Sequence, residues 1–257
     1  MIKAIAFDLW ETLITNTPEV SRQHERLRLA RMERILGERG FSGAAERIER
    51  AYRSVWHRCQ ELYWSADKDI PCRTQIDHFL EALEVEPFDE PTMQALEEAY
   101  ANVAVEILPT PLPGAAEIIL ELKRRGYRLG LISNTGRTPG YALRAILDRL
   151  GLSQPFDAMV FSNEHGECKP QRSIFETLRQ SLGVEFDEML FVGDNLYVDV
   201  HGAQRCGMIA IHFVPPSPGT AVAPIPDHDL TIQPDATIRF LRELPQAIAQ
   251  FHLSARS

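Results

Sequence analysis

The sequence predicts an α/β protein: a parallel β-sheet covered on both faces by helices, with an all-helical insert after its first strand. Three observations point there. From Ala115 onward, short apolar runs alternate with segments of helical length, the pattern of βαβ units. Between about Val20 and Tyr100 only helical periodicity is found. A proline-rich connector, Leu108-Pro109-Thr110-Pro111-Leu112-Pro113-Gly114, separates the two regimes.

Taken in order, Ile2–Phe7 is a short, apolar, partly β-branched run that stops at Asp8, as a buried parallel strand does at a functional loop. Leu27, Ala30, Ile35 and Leu36, then Ile48, Ala51, Tyr52, Val55 and Trp56, recur at helical spacing. Further helical patterns run from Arg73 to Leu83 and from Glu90 to Ile107, with breaks at Gly37–Gly43, near Pro71 and at Pro87–Pro91. Beyond the connector the expected helices are 115–126, 141–150, 173–182 and 199–207. The expected strands are 128–133, 158–161, 189–192 and 209–214. Pro215–Pro226 reads as a surface loop, followed by a last strand near 230–232 and a helix over 237–251. The core thus comprises residues 1–14 and 109–257, and the insert residues 15–108. The insert leaves from the end of a strand where ligands bind in open α/β sheets, so it is placed to act as a lid.

Composition narrows the function classes. The 257 residues carry 27 Lys plus Arg against 36 Asp plus Glu, a net charge of −9, with no basic block. Nucleic acid and anionic membrane surfaces are therefore poor partners. No apolar run approaches a membrane span, and the opening MIKAIAFDLW lacks the order of a secretory signal, so the expected location is cytoplasmic. Cys59, Cys72, Cys168 and Cys206 are scattered, as expected of thiols in a reducing compartment; Cys168 stands out only because it adjoins Lys169.

The chemistry sits at the strand ends: Asp8, then Ser133-Asn134-Thr135, then Lys169-Pro170, then Gly193-Asp194-Asn195 with Asp199. Singly, each is an ordinary turn or cap. Together, a parallel sheet brings them to one edge as three carboxylates, a hydroxyl and an ammonium. Clustered carboxylates repel unless a cation lies between them, and a hard divalent ion such as Mg²⁺ suits carboxylate and phosphate oxygens.

In that order, Phe7-Asp8-Leu9-Trp10-Glu11-Thr12-Leu13, Leu131-Ile132-Ser133-Asn134, Cys168-Lys169-Pro170 and Val192-Gly193-Asp194-Asn195 resemble the haloacid dehalogenase (HAD) superfamily. The text around them is most similar to its phosphatase-like branch. The resemblance implies a Rossmann-like core with a type I helical cap, and an Asp8 nucleophile that forms an aspartyl-phosphate. It implies that Ser133 and the Asn134 backbone bind phosphoryl oxygens and that Lys169 neutralises charge. Mg²⁺ would be held by Asp8, Asp194 and the Trp10 carbonyl, with Asp199 a ligand or an orienter. The substrate would be a small phosphorylated metabolite; monomer and homodimer are both open.

The sequence departs from the pattern at Trp10. There the family's phosphatases have the Asp that protonates the leaving oxygen, and an indole has no such acidity. The next position, usually Gly, is Glu11. Four readings follow. One is a phosphatase in which Glu11 or a cap residue supplies the proton, or whose leaving group needs little help. The second is a 2-haloacid dehalogenase, in which an aromatic side chain follows the nucleophile by two and no metal is needed. The third is other phosphorus chemistry, and the fourth a non-catalytic binder. The retention of Asp194 ranks the phosphatase first. Candidate substrate-facing residues of the cap are Arg22, His24, Arg26, Trp56, His57, Trp64 and Arg73, with Trp56 expected to pack in the cap's own core. The other histidines carry no assigned role.

Overall fold

The computed structural model describes residues 1–215 and 231–254. Its strands and helices follow in chain order as β1 (Ala4–Phe7), β2 (Ile14–Thr15), α1 (Pro18–Glu38), α2 (Ala45–Leu62), α3 (Cys72–Ala82), α4 (Glu90–Ala101), α5 (Val103–Glu106) and β3 (Thr110–Pro111). Then come α6 (Ala115–Arg124), β4 (Arg128–Ser133), α7 (Gly140–Arg149), β5 (Ala158–Phe161), α8 (Ser162–His165) and α9 (Arg172–Leu182). The chain continues with β6 (Met189–Gly193), a π-helical turn (Leu196–His201), α10 (Gly202–Cys206), β7 (Ile209–Phe213), β8 (Ala236–Ile238) and α11 (Leu244–Ser254).

Six strands form one parallel sheet in the order β5-β4-β1-β6-β7-β8. The period-two alternation of each strand divides the core. Ile5, Phe7, Leu129, Leu131, Leu190 and Val192 pack on one face against α6, α7 and α11. Ala4, Ala6, Ile132 and Phe191 pack on the other with Ile174, Phe175 and Leu178 of α9. Strand order reverses at β1, which has β4 on one side and β6 on the other. In open α/β sheets that reversal opens a crevice at the carboxyl edge, where Asp8, Ser133 and Asp194 lie.

The helices between β2 and β3 gather an apolar cluster of their own, including Met32, Tyr52, Val55, Phe79, Leu96 and Tyr100. Their starts have local causes: Thr17 Oγ1 accepts the Val20 N–H (3.2 Å) ahead of Pro18, and Asp89 accepts the Thr92 N–H (3.1 Å) ahead of Pro91. The chain leaves for the insert and returns from it through adjacent segments, because β2 pairs antiparallel with β3. Among the described residues no helix is long and apolar enough to cross a membrane.

Three expectations need correction. The last strand is Ala236–Ile238, not 230–232; residues 231 and 232 are not strand, and Leu230 lies outside the described residues. The last helix accordingly begins at Leu244 rather than Thr237, because Ala236–Ile238 pairs with Ile211–Phe213 instead. Trp56 is 40% exposed rather than buried in the insert's core; its ring meets Trp64 and the Arg137 guanidinium. Of the expected 215–226 loop, only Pro215 lies within the described residues.

Candidate active site

Lys169 is the centre of the arrangement. Its side chain is 1% exposed, and its three N–H groups are all used: Nζ donates to Asp8 Oδ1 (2.6 Å), Asp199 Oδ1 (2.7 Å) and the Ile132 carbonyl (3.1 Å). Burial pulls the ammonium pKa down, but Asp199 and Asp8 outweigh it and hold the group charged. A lysine this deep needs such partners, since an unpaired buried charge costs several kcal/mol, on the order of 3–5 when one partner is removed.

Asp8 is fixed through its backbone, whose N–H donates to the Val192 carbonyl (2.9 Å) as a continuation of the β1–β6 pairing. Burial pushes its carboxyl up to about 6 and Asp199 adds to the rise, while Lys169 opposes both. Asp194 is pushed up to about 9, by burial first and then by Asp8, Asp199 and Glu11. Oxygens of Asp8, Asp194 and Asp199 lie within 4.8 Å of one another. Three carboxylates so close, with a single ammonium among them, make a donor set suited to a divalent cation.

Asp199 has both oxygens occupied: Oδ1 by Lys169 and Oδ2 by the Asn195 N–H (3.0 Å). It reaches there because position 193 is glycine; a Cβ on Gly193 would collide with the Asp199 carboxyl. Gly193→Ala is therefore expected to destabilise the protein by about 1–3 kcal/mol, the range for overpacking, and to disturb Lys169. Thermal unfolding of the purified variant measures it, and an unchanged midpoint would contradict the packing described.

Ser133 is fully buried at the end of β4. The Asn134 side chain grips the backbone of Lys169, accepting its N–H (2.9 Å) and donating to its carbonyl (3.2 Å), which ties the second and third motif loops together. Trp10 is half-buried against the sheet's apolar cluster. Glu11 adopts a left-handed backbone (φ 58°), a conformation that costs a side chain about 1–2 kcal/mol and explains why glycine suits the position. Its buried carboxylate accepts the Thr15 hydroxyl (2.8 and 3.0 Å).

The expected cap residues mostly have other employment. Arg22 and Arg26 pair with Glu19 on an exposed face, Arg73 pairs with Glu90 and Glu97, and His24 is buried against the Ile107 carbonyl. His57 is exposed on α2, with Nδ1 3.2 Å from the Arg53 carbonyl. Trp64 Nε1 donates to Asp69 (2.9 Å). Cys168 is buried, which pushes its thiol up and keeps it protonated.

Three further residues near the site belong to none of the sequence motifs. His212 lies opposite Gly193 in β7 and its Nε2 is 2.9 Å from the Asp194 carbonyl, so it braces the turn that carries Asp194. Its signal was available: a lone polar residue in the apolar strand Ile209-Ala210-Ile211-His212-Phe213. Asp69 and Arg137 had none, because neither belongs to a recognisable pattern. Arg137 lies 4.7 Å from the ring centroids of both Tyr52 and Trp56, joining the loop after Ser133 to the insert.

At one edge of a parallel sheet, then, a strand-end carboxylate is held against a buried lysine with two further carboxylates beside it. The model of the haloacid dehalogenase-like hydrolases matches residues 2–207, and the chain belongs to that family. It is 31% identical over 213 residues to a glyceraldehyde 3-phosphate phosphatase of Pyrococcus abyssi, covering 83% of this chain and 82% of that one. Its fold is similar to that of a HAD phosphatase from Thermococcus onnurineus (TM-score 0.64, 23% identity, 96% and 98% of the two chains). It is also similar to a 2-haloacid dehalogenase from Pseudomonas syringae pv. Tomato (TM-score 0.67, 24% identity, 98% and 100%).

Proposed function

We propose that the protein is a Mg²⁺-dependent phosphatase that hydrolyses a small phosphorylated metabolite through an aspartyl-phosphate on Asp8. The observation that carries this reading is the convergence of Asp194 on Asp8 and Asp199 beside Lys169. Attack on a carbon–halogen bond needs no such carboxylate, whereas a phosphoryl group and a cation give all three a purpose. The similarity to a glyceraldehyde 3-phosphate phosphatase supports the same class.

In this mechanism one Asp8 oxygen forms a bond to phosphorus as the bond from phosphorus to the leaving oxygen breaks, and the leaving oxygen takes the electron pair. Water then attacks phosphorus, the bond to Asp8 breaks, and inorganic phosphate is released with a proton. Lys169 orients the Asp8 carboxylate and offsets charge on the transferring group. Ser133 and the Asn134 backbone hold phosphoryl oxygens. Asp199, with both oxygens occupied, orients Lys169 and the Asp194 turn. Asp8, Asp194 and the Trp10 carbonyl would hold Mg²⁺, which when bound supplies charge neutralisation and a template for the phosphoryl oxygens. Glu11 is the carboxyl closest in sequence to the missing acid, but its bond to Thr15 argues for a role in shaping the turn. The core is residues 1–14 and 109–257 and the cap residues 15–108, a division supported by the insert's separate apolar cluster and the β2–β3 ribbon at its base.

Phosphate release from a panel of small phosphate esters, with Mg²⁺ and with chelator, tests the reading. Halide release from 2-chloro acids that ignores chelator would replace it with the dehalogenase. Mg²⁺ should also raise the unfolding midpoint, by the equivalent of about 2.7 kcal/mol at a hundred times its Kd. Because Asp194 without a cation holds a proton up to about pH 9, binding expels it, and the rise should be larger at alkaline than at mildly acidic pH. A midpoint indifferent to Mg²⁺ at every pH would contradict the metal site.

A further inference from the structure

We propose that Asp69, a residue of the helical insert, is a positioning residue for this site: it sets the two core loops that carry Ser133–Asn134 and Lys169, so that seating of the insert and assembly of the site are one event. The proposal rests on Asp8 and Lys169 being the reacting pair, and it adds the group that holds their geometry.

Asp69 is 6% exposed and its carboxylate receives four donors. Oδ1 accepts Trp64 Nε1 (2.9 Å) and the Ile70 N–H (2.8 Å), both from the insert. Oδ2 accepts the hydroxyls of Thr135 (3.0 Å) and Ser162, both from the core. A carboxylate offers about four lone-pair sites, so this one is fully used and bridges the two halves of the chain. The core partners are well placed to matter. Thr135 directly follows Asn134, and its N–H donates to Ser162 Oγ (2.9 Å). Ser162 opens the segment that leads through Glu167 and Cys168 to Lys169.

The backbone repeats the attachment. The Asp69 N–H donates to the Gly166 carbonyl (3.0 Å), the Cys168 N–H donates to the Asp67 carbonyl (2.7 Å), and Lys68 faces Glu167 in an antiparallel bridge. The residue next to Lys169 is thus hydrogen-bonded to the insert. With Asn134 gripping the Lys169 backbone, hydrogen bonds and adjacent residues run unbroken from Asp69 through Thr135, Asn134 and Lys169 to Asp8. Segment 67–70 is therefore attached to the loop that carries Lys169, although it is encoded within the insert. Opening of the lid must leave this segment seated or loosen the lysine.

The test uses the full chain and three variants: Asp69→Ala, Asp69→Asn and Thr135→Val. Phosphate release from 4-nitrophenyl phosphate should give kcat in the order wild type, Asp69→Asn, Asp69→Ala, since the amide can still accept on one oxygen and donate to a hydroxyl. Thr135→Val, which removes one donor at nearly constant shape, should lose about 10–100-fold in kcat, the cost of a small misplacement of reacting groups, with KM changed little. Amide hydrogen exchange should quicken at Cys168 and Lys169 in the same variants. A merely structural role would lower the unfolding midpoint and leave kcat of the folded protein and that local exchange unchanged; this result overturns the proposal. If Asp69→Ala does not fold, Thr135→Val decides. A wild type silent on every phosphate ester defeats the phosphatase reading instead, and the exchange measurement still decides whether the insert holds the Lys169 loop.

Discussion

Replacing Asp8 with Asn is expected to lower phosphate release by about 10⁴-fold or more, roughly 5 kcal/mol in transition-state stabilisation, with little loss of fold. The amide has nearly the shape of the carboxylate, and its oxygen can still accept from Lys169, whose charge remains paired by Asp199. What it lacks is a nucleophilic oxygen. Asp199 is already bonded through both oxygens, to Lys169 and to the Asn195 N–H. Steady-state phosphate release by the folded variant, with unfolding followed in parallel, measures both halves of the expectation. A variant retaining a tenth of the activity would remove Asp8 from the mechanism.

The second large effect lies in the leaving group. A positioned general acid contributes about 10²–10⁴-fold, and Trp10 cannot supply it. Lys169 is a poor substitute, since its three N–H groups are held by Asp8, Asp199 and the Ile132 carbonyl and its charge is stabilised where it lies. Acyl and aryl phosphates, whose leaving oxygens depart without a proton, should therefore outrun simple alkyl phosphates by about the factor that a general acid contributes. Trp10→Asp should raise the alkyl rates and flatten the series. A series already flat in the wild type would show that another residue protonates the leaving oxygen. Glu11 is then the first to examine, and Glu11→Gln should cost most of the alkyl activity.

Much of this architecture could be read from the chain because its signals are local. The strand at 128–133 and that at 158–161 were expected at the bounds found, for each is a buried run closed by polar residues. The site followed from the strand ends, since parallel pairing brings Asp8, Ser133 and Asp194 to one edge whatever the loops do. The misses have a common cause in non-local pairing. Ile238, Leu241, Leu244 and Ile248 keep helical spacing straight through Ala236–Ile238, and only the partner strand β7 makes those three residues extended. Two-residue strands such as β2 and β3 leave no periodicity to detect. Asp69 was invisible for the same reason: two of its four donors lie 66 and 93 residues away. The spacing of Trp56 with Tyr52 and Val55 marks its helix but carries no sign of its neighbour Arg137.

The most direct test of an aspartyl-phosphate on Asp8 is to mix the protein with acetyl phosphate and Mg²⁺, quench in acid within the first turnovers, and weigh the intact chain and its peptides. A mass increase of one phosphoryl group is expected, carried by the peptide that contains Asp8 and missing both from Asp8→Asn and from samples treated with chelator. Phosphate release that proceeds without that adduct on the Asp8 peptide, or an adduct on another residue, would contradict it.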